Sequence, residues 1–206
     1  GKGTRMKSKN SKLVQKIYGK EIVKRAVENA EKAGVKDIVA VVGYKKEEVM
    51  KVLGDNIKYA FQDEMLGTGH AVMQAKEYLK GKKGKVLVLN GDVPLIRPET
   101  LNKLIEKSIE NKEYATLLTA IYDDPTGYGR IVRDEGGNIE GIVEEKDTTE
   151  EQKKITEINA GIYCFDIEAL LEALEKITPN NKQGEYYITD VIQIMNNRGL
   201  KTGAVI

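Results

Sequence analysis

Apolar residues along this chain follow two spacings, and each change of spacing marks an element. Between residues 20 and 33, Ile22, Val23, Ala26, Val27 and Ala30 recur three and four apart. That places them on one face of a helix, and Gly34 supplies its stop. The run from Asp37 to Gly43 is almost unbroken in apolar residues, the pattern of a strand buried on both faces in a parallel sheet. The same reasoning predicts a helix over 45–53, an extended segment over 57–61, and a helix over 69–80 with Ala71, Val72, Ala75 and Leu79 on one side. Lys85 to Leu89 is a second strand of the buried kind. Pro98 is pre-set for a first helical turn, and Leu101, Leu104, Ile105 and Ile109 give the core face of a helix over 98–110.

Up to this point strands and helices alternate, so the predicted fold is an open α/β sheet, mostly parallel, with helices on both faces. Residues 114–122, 128–133 and 139–144 instead read as successive strands, with Gly136 and Gly137 where a tight hairpin turn belongs. They predict a small antiparallel insertion, a β-rich lobe over roughly 114–165. A strand over 156–166, a helix over 167–177 and a helix over 185–198 follow, with 200–206 extended. In the helix 167–177, Ile167, Leu170, Leu171, Leu174 and Ile177 face inward. The whole, 1–206, reads as one domain.

Composition removes several classes. With 206 residues, 40% hydrophobic and 32% charged, the chain suits a single packed core rather than disorder. A net charge of +1 argues against a nucleic-acid or membrane binder as a whole. Cys164 is the only cysteine, so an intrachain disulfide and a Cys-based zinc site are ruled out, and the single His70 cannot build a His-rich metal site. No apolar run is long enough to span a bilayer and no signal-peptide pattern is present, which makes a cytoplasmic location the default. Only the start is lopsided: Lys2, Arg5, Lys7, Lys9, Lys12, Lys16 and Lys20 precede the first acid, Glu21. With Gly1 and Gly3 among them, the segment reads as an anion-binding arm, because glycine lets the backbone approach a phosphate. A frayed basic tail is the alternative.

Open α/β sheets bind ligands at the carboxyl ends of their strands. Asp92 follows the strand 85–89 across Asn90 and Gly91, so it is expected at that edge, where one carboxylate suits Mg²⁺; a turn cap before Pro94 is the other reading. Gln62 to His70 holds Gly67 and Gly69 ahead of a helix and can offer N–H groups and a side-chain amide to a planar ring; a plain helix entry capped by Thr68 is the alternative. Gly129 precedes a strand, a mark of a bulge or of a close approach to a ligand. Glu144 begins a charged turn. Asn159 is a polar residue in an apolar strand and needs partners, from a polyhydroxyl ligand or from neighbouring backbone. Cys164 reads as a core residue.

Taken in order, these segments resemble a known family. Gly1 to Met6, Lys12, Gln62 with Leu66 to Ala71, Gly91 to Leu95, Pro125 to Arg130, Gly141 to Glu144, Glu157 to Gly161 and Gln183 to Asp190 are similar to the N-terminal uridylyltransferase domain of the bacterial bifunctional N-acetylglucosamine-1-phosphate uridylyltransferases/glucosamine-1-phosphate acetyltransferases. The resemblance implies a Rossmann-like sheet of the nucleotide-diphospho-sugar transferase type. It also implies the reaction of UTP with N-acetylglucosamine 1-phosphate, giving UDP-N-acetylglucosamine and pyrophosphate by Mg²⁺-dependent in-line attack on the α-phosphate. The product feeds cell-wall synthesis.

By the same resemblance, Arg5 and Lys12 serve catalysis on the phosphates. Gly1, Gly3, Gln62, Gly67, Thr68, Asn90, Gly91 and Asp92 contact the nucleotide, with Asp92 the metal ligand. Gly129, Glu144 and Asn159 contact the sugar, with Tyr187 and Thr189 as neighbours of that site. Family members carry proline before the lysine; Ser11 stands there in this chain and is expected to loosen the loop. An apolar strand before Gly1, a second metal-ligating Asn beyond Ile206 and a left-handed β-helix acetyltransferase domain, which implies a homotrimeric parent, are absent from the sequence. Another sugar-1-phosphate nucleotidyltransferase, an inactive nucleotide-binding fragment and a nucleic-acid binder using residues 1–20 are the competing readings.

Overall fold

A computed structural model describes residues 10–206. Its elements are β1 (Lys16–Ile17), β2 (Lys20–Glu21), α1 (Ile22–Lys32), β3 (Val39–Val42), α2 (Lys46–Leu53), β4 (Lys58–Phe61), α3 (Thr68–Gln74), α4 (Lys76–Leu79), β5 (Lys85–Leu89), α5 (Pro98–Glu110), β6 (Ala115–Ile121), β7 (Arg130–Arg133), β8 (Ile139–Val143), β9 (Glu157–Asp166), α6 (Ile167–Leu174), α7 (Asp190–Asn197) and β10 (Thr202–Val205). They fall into two compact units. The first takes the chain to Met65 and again from Leu89 to Asn102; the second comprises Leu66–Val88 and Lys103–Ile206.

In the first unit β3 and β4 run parallel, Val39 opposite Lys58 through Val42 opposite Phe61. Val23 of α1, Val42 of β3 and Val49 of α2 form its core. The helix expected from residue 20 starts at Ile22. Lys20 and Glu21 instead pair with Ile17 and Lys16 in a hairpin whose two turn residues, Tyr18 and Gly19, both have positive φ. Val39, Ala40 and Val41 of β3 are only half-buried, as is every residue of β5. The expectation of strands covered on both faces is therefore corrected. Among the described residues β3 pairs with β4 and β5 with β9, so one flank of each strand has no neighbour to shield its side chains.

The second unit holds a mixed sheet in the order β10-β6-β9-β7-β8, with β5 also on β9. β10 lies parallel to β6, whereas β6–β9, β7–β8 and β7–β9 are antiparallel. Leu117, Phe165, Leu170, Leu174, Ile192 and Met195 lie at the heart of its core. Each buried side chain of this size contributes about 1.5–3 kcal/mol. The β7–β8 hairpin turns where the glycines predicted it, with Gly137 at φ +81° and its N–H donating to the Asp134 carbonyl.

Three expectations change. The helix over 69–80 breaks at Ala75 into α3 and α4. Ile109 is 57% exposed, and it is Ser108, donating to the Glu113 carbonyl, that is buried at the end of α5. Residues 185–189 are not helical, because the Tyr186 N–H and C=O bond to Leu66 and Gly69 instead of to a helical turn. In the described residues no helix is long and apolar enough to cross a membrane.

Candidate active site

Gly1, Gly3 and Arg5 lie outside the described residues. In the first unit, Gln62 sits directly beyond β4, its N–H held by the Val42 carbonyl at 2.8 Å. Gly43, beyond β3, comes so close to Gln62 that an added Cβ would stand 2.6 Å from the Gln62 carbonyl oxygen. The uracil-contact candidate thus stands at the carboxyl edge of a parallel pair, the position that strand polarity assigns to ligands. Asn90, Gly91 and Asp92 follow β5, and Asn90 and Asp92 are exposed.

Lys12 Nζ forms an ion pair with Asp92 Oδ2, which joins two residues 80 apart in sequence. The cation expected at the phosphates and the carboxylate expected at the metal therefore neutralise each other. Ser11 fixes this turn rather than loosening it. It is buried, its hydroxyl accepts from the Leu13 N–H, and its own N–H donates to Glu48 Oε2 at 2.7 Å, a bond that proline cannot make.

In the second unit, Gly67 and Thr68 open α3. Gly67 has φ +116° and ψ 176°, and Thr68 is the first helical residue rather than a cap. The Thr68 hydroxyl accepts from the Ile188 N–H at 3.1 Å, and the Gly69 N–H donates to the Tyr186 carbonyl at 2.7 Å. The 66–69 loop is thus pinned along the 186–188 segment. His70 sits within α3, beside Gln74 and tilted against Tyr186, a structural setting.

Gly129, Glu144 and Asn159 come together. A Cβ built on Gly129 would lie 3.5 Å from Glu144 Oε2 and 3.6 Å from Asn159 Cβ, and the Gly129 carbonyl accepts the Asn159 N–H at 2.9 Å. The added carbon would meet Ile142 Cγ2 first, at 3.1 Å, so it is glycine that lets these three residues, separated by up to 30 positions, pack together. Asn159 finds its partners inside the protein: its amide donates to the Tyr163 hydroxyl at 2.7 Å and its oxygen accepts from the Gly161 N–H. This fixes the carboxamide and leaves one amide hydrogen and one lone pair for a ligand.

The sequence reading missed Tyr163. It is buried, and burial first, then the Glu144 charge, hold its phenol protonated. Its spacing of four along β9 from Asn159 was the available signal. Asp147 was missed as well. It accepts from the Tyr187 hydroxyl and the Lys182 N–H, and burial pushes the Tyr187 phenol up to about 12.

Glu144 accepts from the Thr189 hydroxyl at 3.1 Å, yet burial raises its pKa above the ordinary carboxylate value. Its ionised form therefore costs the folded state stability. The cost is absent below the unfolded carboxyl pKa and grows as pH rises through the folded one. Glu144→Gln is expected to raise the melting temperature at neutral pH and to leave it unchanged near pH 3. Melting curves across pH check the sign, and a lower melting temperature at neutral pH would contradict it.

Solved structures share this arrangement of elements. A UDP-glucose pyrophosphorylase complexed with UDP-glucose superposes with a TM-score of 0.76 at 23% identity, over 96% of this chain and 84% of the other. A Bacillus anthracis protein described as a glucose-1-phosphate thymidylyltransferase gives 0.81 at 22% identity, over 100% and 84%. These likenesses establish the mixed α/β fold. The chain belongs to the Nucleotidyl transferase family, whose sequence model matches residues 1–206. Among curated proteins it is 54% identical over 206 residues to the Bifunctional protein GlmU of Caldanaerobacter subterraneus, and 50% identical over 205 residues to that of Acetivibrio thermocellus. All of this chain is covered, but it spans only 45% and 44% of the length of those relatives.

Proposed function

We propose that this protein transfers uridylyl from UTP to N-acetylglucosamine 1-phosphate, releasing pyrophosphate. The observation that carries this reading is the convergence of Gly129, Glu144 and Asn159. A carboxylate and a fixed carboxamide brought side by side form a set of acceptors and donors for sugar hydroxyl and acetamido groups. The whole-chain similarity to proteins called GlmU supports the same choice over a thymidylyl or glucose reaction.

In the proposed reaction a sugar-phosphate oxygen attacks the α-phosphate in line, and pyrophosphate leaves from the other side. The protein's task is positioning and charge neutralisation. Gln62, Gly67 and Thr68 hold the base and nucleotide. Lys12 and Arg5 draw the leaving phosphates, and Gly1, Gly3, Asn90 and Gly91 are assigned to the nucleotide. A divalent cation is part of the proposal, Mg²⁺ specifically. Asp92 would hold it: one exposed carboxylate beside a cation fits a metal that takes few protein oxygens and several from phosphate and water. Once bound, that ion neutralises phosphate charge.

The proposal extends to a cytoplasmic role in cell-wall precursor supply, to one nucleotidyltransferase domain, and to a homotrimeric parent assembled through a further domain. The nucleic-acid reading loses support, because Lys12, Lys16 and Lys20 are paired with Asp92, Glu21 and Glu28.

The deciding assay is pyrophosphate release from UTP and N-acetylglucosamine 1-phosphate with Mg²⁺, run beside dTTP and glucose 1-phosphate. Equal or faster turnover of the second pair would replace this reading with another sugar nucleotidyltransferase, and no turnover of either would leave a binding fragment. Within the active enzyme, Asn159→Ala is expected to raise the KM for the sugar phosphate about 5- to 100-fold, the equivalent of about 1–3 kcal/mol, with little change for UTP. A rise confined to UTP would remove Asn159 from the sugar side.

A further inference from the structure

We propose that Arg130 is a positioning residue for the sugar side of the site, holding the turns that carry Gly129 and Glu144 in register without touching the substrate; this rests on the uridylyltransferase reading above. Arg130 is 1% exposed and heads the fully buried side chains by size. Its Nη1 donates to the Tyr128 carbonyl and lies 2.7 Å from Glu145 Oε2. One ion pair therefore joins the 127–129 turn to the 144–147 turn, and each candidate sugar contact is one residue away from it. The atoms nearest a Cβ built on Gly129 belong to Ile142, Glu144 and Asn159, not to Arg130 or Glu145.

Stability alone does not explain this choice of residue. Arg130 Nε is buried with no hydrogen-bond partner, and the Glu145 contact is an ion pair without an aligned hydrogen bond to Oε2. Buried ion pairs are commonly no more stable than apolar residues of the same volume, and an orphaned donor adds cost. What the pair supplies is a fixed distance between two turns. Nη1 makes both contacts, to the Tyr128 carbonyl and to Glu145, and the rigid planar guanidinium fixes where that nitrogen stands, whereas the ammonium of lysine ends a flexible stem.

The test uses the protein as its gene encodes it. Arg130→Lys is expected to raise the KM for N-acetylglucosamine 1-phosphate about tenfold or more, and that for UTP less than about twofold. Glu145→Gln should move both constants the same way by less. Amide hydrogen exchange should quicken in the 127–129 and 144–147 turns of both variants and stay unchanged in β6 and α7. Parallel rises in both KM values, an unchanged sugar KM, or unaltered exchange in the two turns would each overturn the assignment. If Arg130→Lys does not fold, the same split in Glu145→Gln decides. A wild-type protein that binds and turns over neither substrate defeats the uridylyltransferase reading and this inference with it. An active wild type with no sugar-selective effect in the variants defeats the inference alone.

Discussion

Replacing Asp92 by asparagine is expected to lower turnover about 100-fold or more at limiting Mg²⁺, the scale seen when a charge that stabilises a transition state is removed. The carboxylate has two tasks. It neutralises Lys12 across the turn that follows β5. In the proposed reaction Asp92 would hold the metal instead, which would leave Lys12 available to the phosphates. Asparagine keeps the shape but supplies no charge for either task. The two effects separate experimentally. Mg²⁺ dependence should shift to higher concentration. Metal-free UTP binding should hold steady or tighten, because Lys12 loses its internal counter-ion. Titrating Mg²⁺ in a pyrophosphate-release assay and measuring UTP binding in a chelator provide both numbers. Near-normal turnover at low Mg²⁺ would assign the metal to another residue.

Gly67→Ala should be among the most destabilising single substitutions in the second unit. At φ +116° and ψ 176°, Gly67 occupies a region that is essentially glycine's alone. A Cβ would also stand 2.5 Å from the Tyr186 carbonyl oxygen and 2.8 Å from its nitrogen, backbone atoms that cannot rotate away. Strain and overlap together cost about 3 kcal/mol or more, which lowers the melting temperature by about 6–12 °C in a chain of this size. Because the same loop carries Thr68, UTP affinity should fall as well. Gly137→Ala is the control: φ is also positive there, +81°, but nothing lies within 4 Å of the added carbon. It should cost only about 1 kcal/mol. Equal melting temperatures for the two variants would show that the close approach of Tyr186 carries no weight.

Most of the elements could be read from local pattern. The three- and four-residue spacing of Ile22, Val23, Ala26 and Ala30 marks α1, and all four are buried. The alternation around Gly136 and Gly137 marks the β7–β8 hairpin, where turn chemistry acts over a few residues. Strand polarity likewise put Gln62 directly beyond β4 and Asn90–Asp92 directly beyond β5, because the residues that follow a strand lie at its carboxyl end. Whether β3 and β5 are covered on both flanks was not legible, since an apolar run states what a strand can bury and not which neighbours it has.

The site's working detail came from contacts between residues distant along the chain. Nothing in the spacing of Lys12 and Asp92 announces their ion pair, nor does the 125–130 motif show that Arg130 closes on Glu145. Tyr186 and Tyr187 have a helix-compatible pattern, yet the 66–69 loop takes the Tyr186 backbone, so α7 starts only at Asp190. Asn159 needed partners on sequence grounds, and only the folded chain identifies them as Tyr163 and Gly161. The raised pKa of Glu144 comes first from burial, a property that no residue possesses until its neighbours are packed around it. By itself, then, the sequence determined most of the elements and most of their core faces, because periodicity and turn chemistry are local. Tertiary structure decided which charges meet, which donors are already used and which carboxylate is desolvated, because each of those depends on burial and on partners brought together only by folding.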